Sequence, residues 1–184
     1  MKKFPIGIII NSFRTDIPTS VRKAAECGAQ GIQVYSTHGE MAPENLSPEK
    51  RRDFLKLVKD NGLIISALCG DLGGGGFIHK DLNKERVEKS KRILDLAKDL
   101  GCDYVATGHY ARVAFDEETS RYKLLKGDDT KKDQSYVLYN LKQTELSRLL
   151  LPIGEMSKDE VRKTAEENGF TNAQGSMIIT VRSI

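Results

Sequence analysis

The sequence predicts an α/β fold in three layers, with a mainly parallel open sheet of five or six strands and helices on both faces. Short apolar runs that suit buried strands alternate with longer segments that suit helices. The connections between them are short, and such alternation is typical of a parallel sheet covered by helices. Four or five strands are too few to close a parallel barrel, so an open sheet is expected.

The first part of the chain alternates strand and helix up to residue 107. Strands are predicted over 6–10, 32–35, 63–68 and 103–107, and helices over 16–27, 48–61 and 83–100. Ser47 and Pro48 form a helix start, while Gly28 and Gly101 are suitable helix ends. The last helix has Val87, Leu94 and Ala97 on one face, joined by Ile93, Leu96 and Leu100.

After His109 the elements become shorter. The segments 112–114 and 121–126 predict a hairpin, 131–140 and 144–150 predict two helices, and 151–154 predicts a short strand. Ser157 and Glu160 form a capping box that begins another helix. The apolar, β-branched segment 177–181 predicts a last strand.

The composition excludes several classes of protein. No apolar run approaches the ~20 residues of a membrane span, and the N-terminus lacks the pattern of a secretion signal, so a cytoplasmic location is expected. Cys27, Cys69 and Cys102 are scattered, which favours reduced thiols over disulfides or a zinc site. A net charge of +3 is too small to indicate a nucleic-acid partner by itself.

Residues 4–100 resemble the start of the sugar phosphate isomerase/epimerase family, which are TIM barrels related to xylose isomerase. The resemblance depends on the segments 4–7, 27–34 and 68–73. It implies a divalent metal held at the ends of later strands, and those strands have no counterpart here. His38, Glu40, Asp71 and His79 follow predicted strands, where barrel sites assemble. The alternative is that all four are ordinary polar loop residues, and no metal site is predicted.

Residues 103–169 resemble the tRNA-specific 2-thiouridylases, which have a HUP-like nucleotide-binding fold. Five blocks occur in the family's order, at 103–112, 124–128, 132–138, 151–155 and 158–162. Those enzymes use ATP to activate a tRNA uridine and then install sulfur from a cysteine persulfide. The resemblance implies that Gly108 approaches an adenine nucleotide. It also implies that His109, Lys132, Asp133 and Gln134 contact tRNA. The alternative is a tight turn and a packed helix with no ligand.

Parts of the thiouridylase machinery are absent from the sequence. The family's Ser-Gly-Gly-Val-Asp-Ser loop, which grips pyrophosphate, has no counterpart. Met177 stands where the second catalytic cysteine is expected, and a thioether cannot carry a persulfide. No catalytic residue is therefore assigned, and the enzyme readings, thiouridylase or sugar phosphate isomerase, are the least favoured.

The two resemblances meet between about Glu88 and Tyr104, within one helix and the strand after it. We therefore predict a single hybrid domain over 1–184, with barrel-derived units over 1–100 and a thiouridylase-derived segment over 101–184. The favoured hypothesis is an engineered chimera without intact activity. The alternative is a residual module for adenine nucleotides or tRNA, with ATP as a weak ligand. Exposed sheet edges would allow a homodimer.

Overall fold

A computed structural model of the chain describes residues 6–73, 77 and 79–167. The chain divides into two compact units, an N-terminal unit that ends at Asp103 and a C-terminal unit that begins at Tyr104. The described residues confirm the predicted α/β class, with parallel strands, helices and no closed barrel. The predicted strand over 177–181 and Met177 lie outside the described residues.

The N-terminal unit contains a parallel sheet of three strands, in chain order: β1 (Gly7–Ile9), β2 (Gly31–Tyr35) and β3 (Ile64–Cys69). Its helices are α1 (Ile17–Glu26), α2 (Pro48–Asp60) and α3 (Lys80–Asp99). The strand predicted over 6–10 is shorter than expected, because Ile10–Phe13 forms a 3-10 helix. The other predicted strands and helices before residue 100 are confirmed.

Local signals explain where α1 and α2 begin and end. Asp16 accepts a hydrogen bond from the Thr19 amide at 2.9 Å and caps α1. The Ser47 hydroxyl does the same for the Lys50 amide at 3.4 Å, and Pro48 occupies the first position of α2. Gly28 follows α1 with a φ of 78°, a left-handed conformation that glycine adopts without steric cost.

The core of the N-terminal unit lies between the sheet and its helices. Its fully buried members include Ile10, Val21, Ile32, Val34 and Leu96. On α3 the buried residues are Ile93 and Leu96, and Leu100 directly after the helix is buried too, whereas Val87 and Leu94 are 41% and 51% exposed. The predicted apolar set is therefore divided between a buried part at Ile93, Leu96 and Leu100 and an exposed part at Val87 and Leu94. The helix has apolar residues on two sides, and only packing decides which side is buried.

The C-terminal unit contains two small sheets. Strands β4 (Val105–Ala106) and β7 (Leu149–Leu150) pair in parallel, while β5 (Ala111–Asp116) and β6 (Arg121–Lys126) form an antiparallel hairpin. Its described α-helices are α4 (Gln143–Leu146) and α5 (Lys158–Glu167). The predicted hairpin is confirmed. The capping box is confirmed too, since Ser157 and Glu160 exchange hydrogen bonds of 2.7 and 3.2 Å.

Three details of the C-terminal unit differ from the sequence predictions. The helix predicted over 131–140 is a 3-10 helix of one turn, Ser135–Leu138. The strand predicted over 151–154 is a turn, and the strand lies just before it at Leu149–Leu150. The described strands form three separate sheets rather than one sheet of five or six strands. Strand pairing is a long-range choice, and local periodicity does not encode it.

No described helix is long and apolar enough to cross a membrane.

Candidate nucleic-acid interface

Two of the predicted tRNA-contacting blocks meet through Gln134. The Gln134 side-chain oxygen accepts a hydrogen bond from the Tyr110 amide at 3.1 Å. In return, the backbone amide of Gln134 donates to the Tyr110 carbonyl at 2.8 Å. These two bonds bring the segment 107–110, which follows β4, against the start of the 3-10 helix Ser135–Leu138. The structure thus places His109 and Gln134, 25 positions apart in sequence, in one region.

The Asp133 carboxylate holds the turn that carries Lys132. It accepts hydrogen bonds from the Gly127 amide at 3.0 Å, the Ser135 amide at 3.3 Å and the Ser135 hydroxyl at 2.9 Å. Burial acts to raise the pKa of Asp133, but these hydrogen bonds outweigh it and leave the pKa below its usual value. The ionised carboxylate already accepts three hydrogen bonds within the protein, so it stabilises this turn rather than contacting a ligand.

His109 lies half-buried beside Thr107. Its Nδ1 atom and the Thr107 hydroxyl are 2.8 Å apart, and the direction of the hydrogen bond between them depends on the imidazole tautomer. Burial lowers the pKa of His109 below its usual value of 6.5. The imidazole is therefore neutral at pH 7, and Thr107 fixes its orientation. Its Nε2 atom can then exchange a hydrogen bond with a polar ligand.

The lowered pKa of His109 predicts a pH-dependent stability. Because the pKa is lower in the folded than in the unfolded chain, the unfolded chain binds more protons between these two pKa values. The free energy of unfolding should therefore fall as the pH drops from 7.5 through about 6.5 towards the folded pKa. Urea unfolding at pH 7.5 and 5.5 measures this fall, and His109→Gln should reduce it. An equal fall in His109→Gln would contradict the prediction.

Lys132 presents the positive charge of the region. It is exposed, and its backbone amide donates to the Asp129 carbonyl at 3.0 Å. Across the described residues, the Lys132 ammonium has no ion pair with a carboxylate. Lys131 precedes it and is also exposed. An unpaired, solvated ammonium can neutralise a phosphate without first breaking an internal salt bridge.

Gly108 leaves open space beside the backbone between Thr107 and His109. A Cβ atom built at Gly108 would meet only Ile153 Cδ1, at 3.8 Å, which is ordinary contact. The glycine is therefore not required for packing. A ligand could approach the backbone here closely, as the predicted nucleotide role of Gly108 needs.

The four candidates implied by the isomerase resemblance do not form a metal-binding group among the described residues. His38 lines a cavity of about 350 Å³ with Arg86 and Lys89, whereas Glu40 lines a different one of about 1060 Å³ near α2. Asp71 accepts a hydrogen bond from the Gly73 amide, 2.8 Å away, and His79 is exposed before α3. No group of three or more potential metal ligands occurs among the described residues.

The sequence did not identify Tyr136 and Tyr139 as site residues. Tyr136 lies within the 3-10 helix Ser135–Leu138, Tyr139 directly follows it, and both are largely exposed. The sequence predicted a longer helix here that would pack against the protein. Aromatic residues three apart also suit a helix that packs through one face, so the spacing does not predict their exposure.

The profile of one protein family, described as the tRNA methyl transferase HUP domain, matches residues 79–177. The match therefore begins at the residue before α3. A tRNA-specific 2-thiouridylase MnmA from Methylococcus capsulatus is 55% identical over 167 residues, which are 90% of this chain and 42% of that relative. This match is too long to lie within residues 79–184 alone, so it reaches into the first part of the chain.

Two further relatives carry the same name. The protein from Syntrophomonas wolfei is 55% identical over 147 residues, covering 80% of this chain and 41% of the relative. The protein from Clostridioides difficile is 58% identical over 74 residues, covering 40% of this chain and 20% of the relative. The chain thus spans less than half the length of these curated relatives.

Among solved structures, a xylose isomerase domain protein from Planctomyces limnophilus superposes with a TM-score of 0.49 at 18% identity, covering 92% of this chain and 61% of that one. The resemblance of the C-terminal part to the thiouridylases is confirmed by the family match and by these relatives. Because the profile matches more than half of the sequence, this chain belongs to the tRNA methyl transferase HUP domain family.

Proposed function

We propose that the C-terminal unit is a tRNA-contacting module, in which Lys132, Gln134 and His109 face the RNA. The chain contains a module related to the tRNA 2-thiouridylases. One observation carries the proposal: the paired hydrogen bonds between Gln134 and Tyr110 join the two blocks for which the thiouridylase resemblance implies tRNA contact. Residues with a shared ligand need to lie close together, and these bonds support the proposal because they hold the two blocks against each other.

The three side chains offer complementary chemistry. Lys132 supplies a positive charge for a phosphate, which gives affinity but no sequence preference. The Gln134 oxygen is used by Tyr110, while its NH₂ group has no partner among the described residues and can donate to a base or a phosphate. His109 is neutral and oriented by Thr107, so it adds a hydrogen bond rather than a charge.

Asp133 has a different role in this proposal. Its carboxylate would repel a phosphate if it pointed towards the RNA, but three internal hydrogen bonds occupy it. We infer that Asp133 positions Lys132 and Gln134, which flank it in sequence. The resemblance implied an RNA contact for all four residues, and the proposal assigns direct contact to three of them.

Removal of the Lys132 charge tests the proposal. We expect Lys132→Gln to weaken binding of unmodified tRNA several-fold and to reduce the slope of log K against log salt by about one. Filter binding across a salt series measures both quantities. Lys123→Gln is the matched control, because Lys123 is an exposed lysine of β6 in an ion pair with Asp116. Its loss should be smaller and should leave the slope nearly unchanged.

Two results would overturn the proposal. One is the absence of saturable tRNA binding by the unsubstituted chain at low salt, where phosphate contacts are strongest. The other is an equal loss of affinity in Lys132→Gln and Lys123→Gln, which would indicate a diffuse electrostatic attraction without a defined site.

Several hypotheses drawn from the sequence stay predictions. These are an engineered origin, a loss of catalytic activity, a homodimer, an ATP site at Gly108 and a sugar phosphate isomerase activity. The open space beside Gly108 is compatible with a nucleotide. His38, Glu40, Asp71 and His79 do not form a metal-binding group among the described residues, so they give the isomerase hypothesis no support.

A further inference from the structure

We propose that Tyr136 and Tyr139 form a stacking platform for unpaired bases of the bound tRNA. The inference depends on the proposed tRNA-binding function and specifies which part of the RNA is recognised. It assigns to the C-terminal unit a contact with single-stranded bases, in addition to the phosphate contacts of Lys132.

Both tyrosines are unusually exposed for aromatic residues. Tyr136 is 70% exposed and Tyr139 is 75% exposed, and Val137 between them is 50% exposed. Phe115 on the hairpin is 52% exposed, but its ring contacts Tyr122 at 5.0 Å between centroids. Within the described part of the chain, neither Tyr136 nor Tyr139 has such an aromatic neighbour. Their ring faces are thus available to a ligand.

The local backbone places the two side chains on the same side. Tyr136 lies within the 3-10 helix Ser135–Leu138, and Tyr139 continues it with φ −61° and ψ −22°. Residues three apart in a 3-10 helix are eclipsed, at a rise of about 2 Å per residue. The two rings therefore originate about 6 Å apart along the axis. This is close to twice the ~3.4 Å step between stacked bases, which suits one base between the rings.

The platform is attached to the proposed phosphate site. The Val137 amide donates to the Gln134 carbonyl at 3.0 Å, and Gln134 is itself bonded to Tyr110. Exposed lysines flank the tyrosines, with Lys131 and Lys132 before them and Lys142 after them. Aromatic rings between cationic side chains are the arrangement by which proteins bind single-stranded nucleic acid.

The chemistry favours an RNA base over a protein partner. A protein interface would need a larger apolar patch, whereas in the segment 131–142 Val137 is the one exposed aliphatic residue beside the two rings, and exposed lysines precede and follow them in sequence. Single-stranded loops of RNA present unstacked bases that bind to tyrosine faces. The occupant that fits the platform is therefore a loop or an unpaired end of the tRNA.

Tryptophan fluorescence provides a direct test, since the sequence contains no tryptophan. In Tyr139→Trp the new side chain is the sole indole. We expect its emission to be quenched when tRNA binds. Quenching should also occur with a single-stranded oligoribonucleotide, and should be much weaker with an RNA duplex that lacks unpaired bases. The whole 184-residue chain at low salt is used throughout.

Affinity measurements separate stacking from simple apolar contact. Tyr136→Leu and Tyr139→Leu should each weaken tRNA binding about tenfold, while Tyr136→Phe and Tyr139→Phe should keep most of the affinity. The slope of log K against log salt should not change, because no phosphate contact is lost. Phe115→Leu, at an exposed aromatic residue of β5, is the matched control and should bind normally.

The outcomes distinguish this inference from the proposed function. If the unsubstituted chain does not bind tRNA, both are wrong. If it binds, but the leucine variants keep their affinity and the tryptophan is not quenched, the platform is wrong and the proposed function stands. A loss in the phenylalanine variants equal to that in the leucine variants would indicate a role of the hydroxyl groups and would also overturn stacking.

Discussion

Gly154→Ala is expected to destabilise the C-terminal unit by about 3 kcal/mol, at the upper end of overpacking effects. A Cβ atom at this position would overlap the carbonyl oxygen of Ala111 and would lie 2.8 Å from its carbonyl carbon. These are backbone atoms of β5, so no side-chain rotation can relieve the overlap. Ala111 is fully buried at the start of the hairpin, where its register partner is Lys126.

The backbone of Gly154 is also fixed on its own side. Its amide donates to the Leu151 carbonyl at 3.1 Å, and its carbonyl accepts from the Asp128 amide at 3.0 Å. A shift that made room for a methyl group would break one of these bonds at a buried residue, and an unsatisfied buried group costs about 1–3 kcal/mol. Both the overlap with Ala111 and the loss of a hydrogen bond would lower the free energy of unfolding substantially in a unit of this size.

Urea unfolding followed by circular dichroism measures the loss, and hydrogen exchange of the hairpin amides locates it. Gly108→Ala is the matched control, because a Cβ there meets only Ile153 Cδ1, 3.8 Å away. Its free energy of unfolding should change by less than about 0.5 kcal/mol. Equal midpoints for both variants would contradict the packing of the 151–154 turn against β5.

The sequence predicted those parts of the fold that depend on neighbouring residues. The apolar run at 63–68, the caps at Asp16 and Ser47, and the capping box at Ser157 each act within a few positions. The pairing of β4 with β7, in contrast, does not depend on neighbouring residues. Val105 pairs with Leu149 across more than forty positions, and no local pattern specifies that choice.

The candidate site shows the same division. The resemblance to the thiouridylases supplied the residues, and the structure supplied their connection. That Gln134 bonds Tyr110 through both its side chain and its backbone is a three-dimensional fact with no sequence signature. The inward orientation of Asp133 is similar, since it depends on Gly127 being within reach. Exposure of Tyr136 and Tyr139 could not be predicted, because it depends on a helix that ends after one turn.

Leu96→Ala should reduce the stability of the N-terminal unit by about 2–5 kcal/mol. Leu96 is fully buried on α3, in the same core as Ile10 and Ile32. Removal of its isobutyl group leaves a cavity that this packed core can fill only partly. Leu94→Ala is a close control on the same helix, because Leu94 is 51% exposed and its truncation should cost less than about 0.5 kcal/mol.

This pair of variants also tests how the two resemblances meet. Leu96 lies inside the segment 79–177 that matches the HUP domain family, yet its core partners Ile10 and Ile32 lie before that segment. The family segment and the preceding sequence therefore share one hydrophobic core, with α3 as the shared element. A core of this kind should unfold cooperatively, so that β1–β3 and α3 lose hydrogen-exchange protection together.

The prediction of a single domain over 1–184 can be examined in the same experiment. If the chain is one cooperative domain, Leu96→Ala should lower the protection of the β5–β6 hairpin by the same free energy as that of β2. If the hairpin keeps its protection while β2 loses it, the two compact units fold independently, and the single-domain prediction is wrong. Similar losses in Leu94→Ala and Leu96→Ala would instead show that α3 packs through another face.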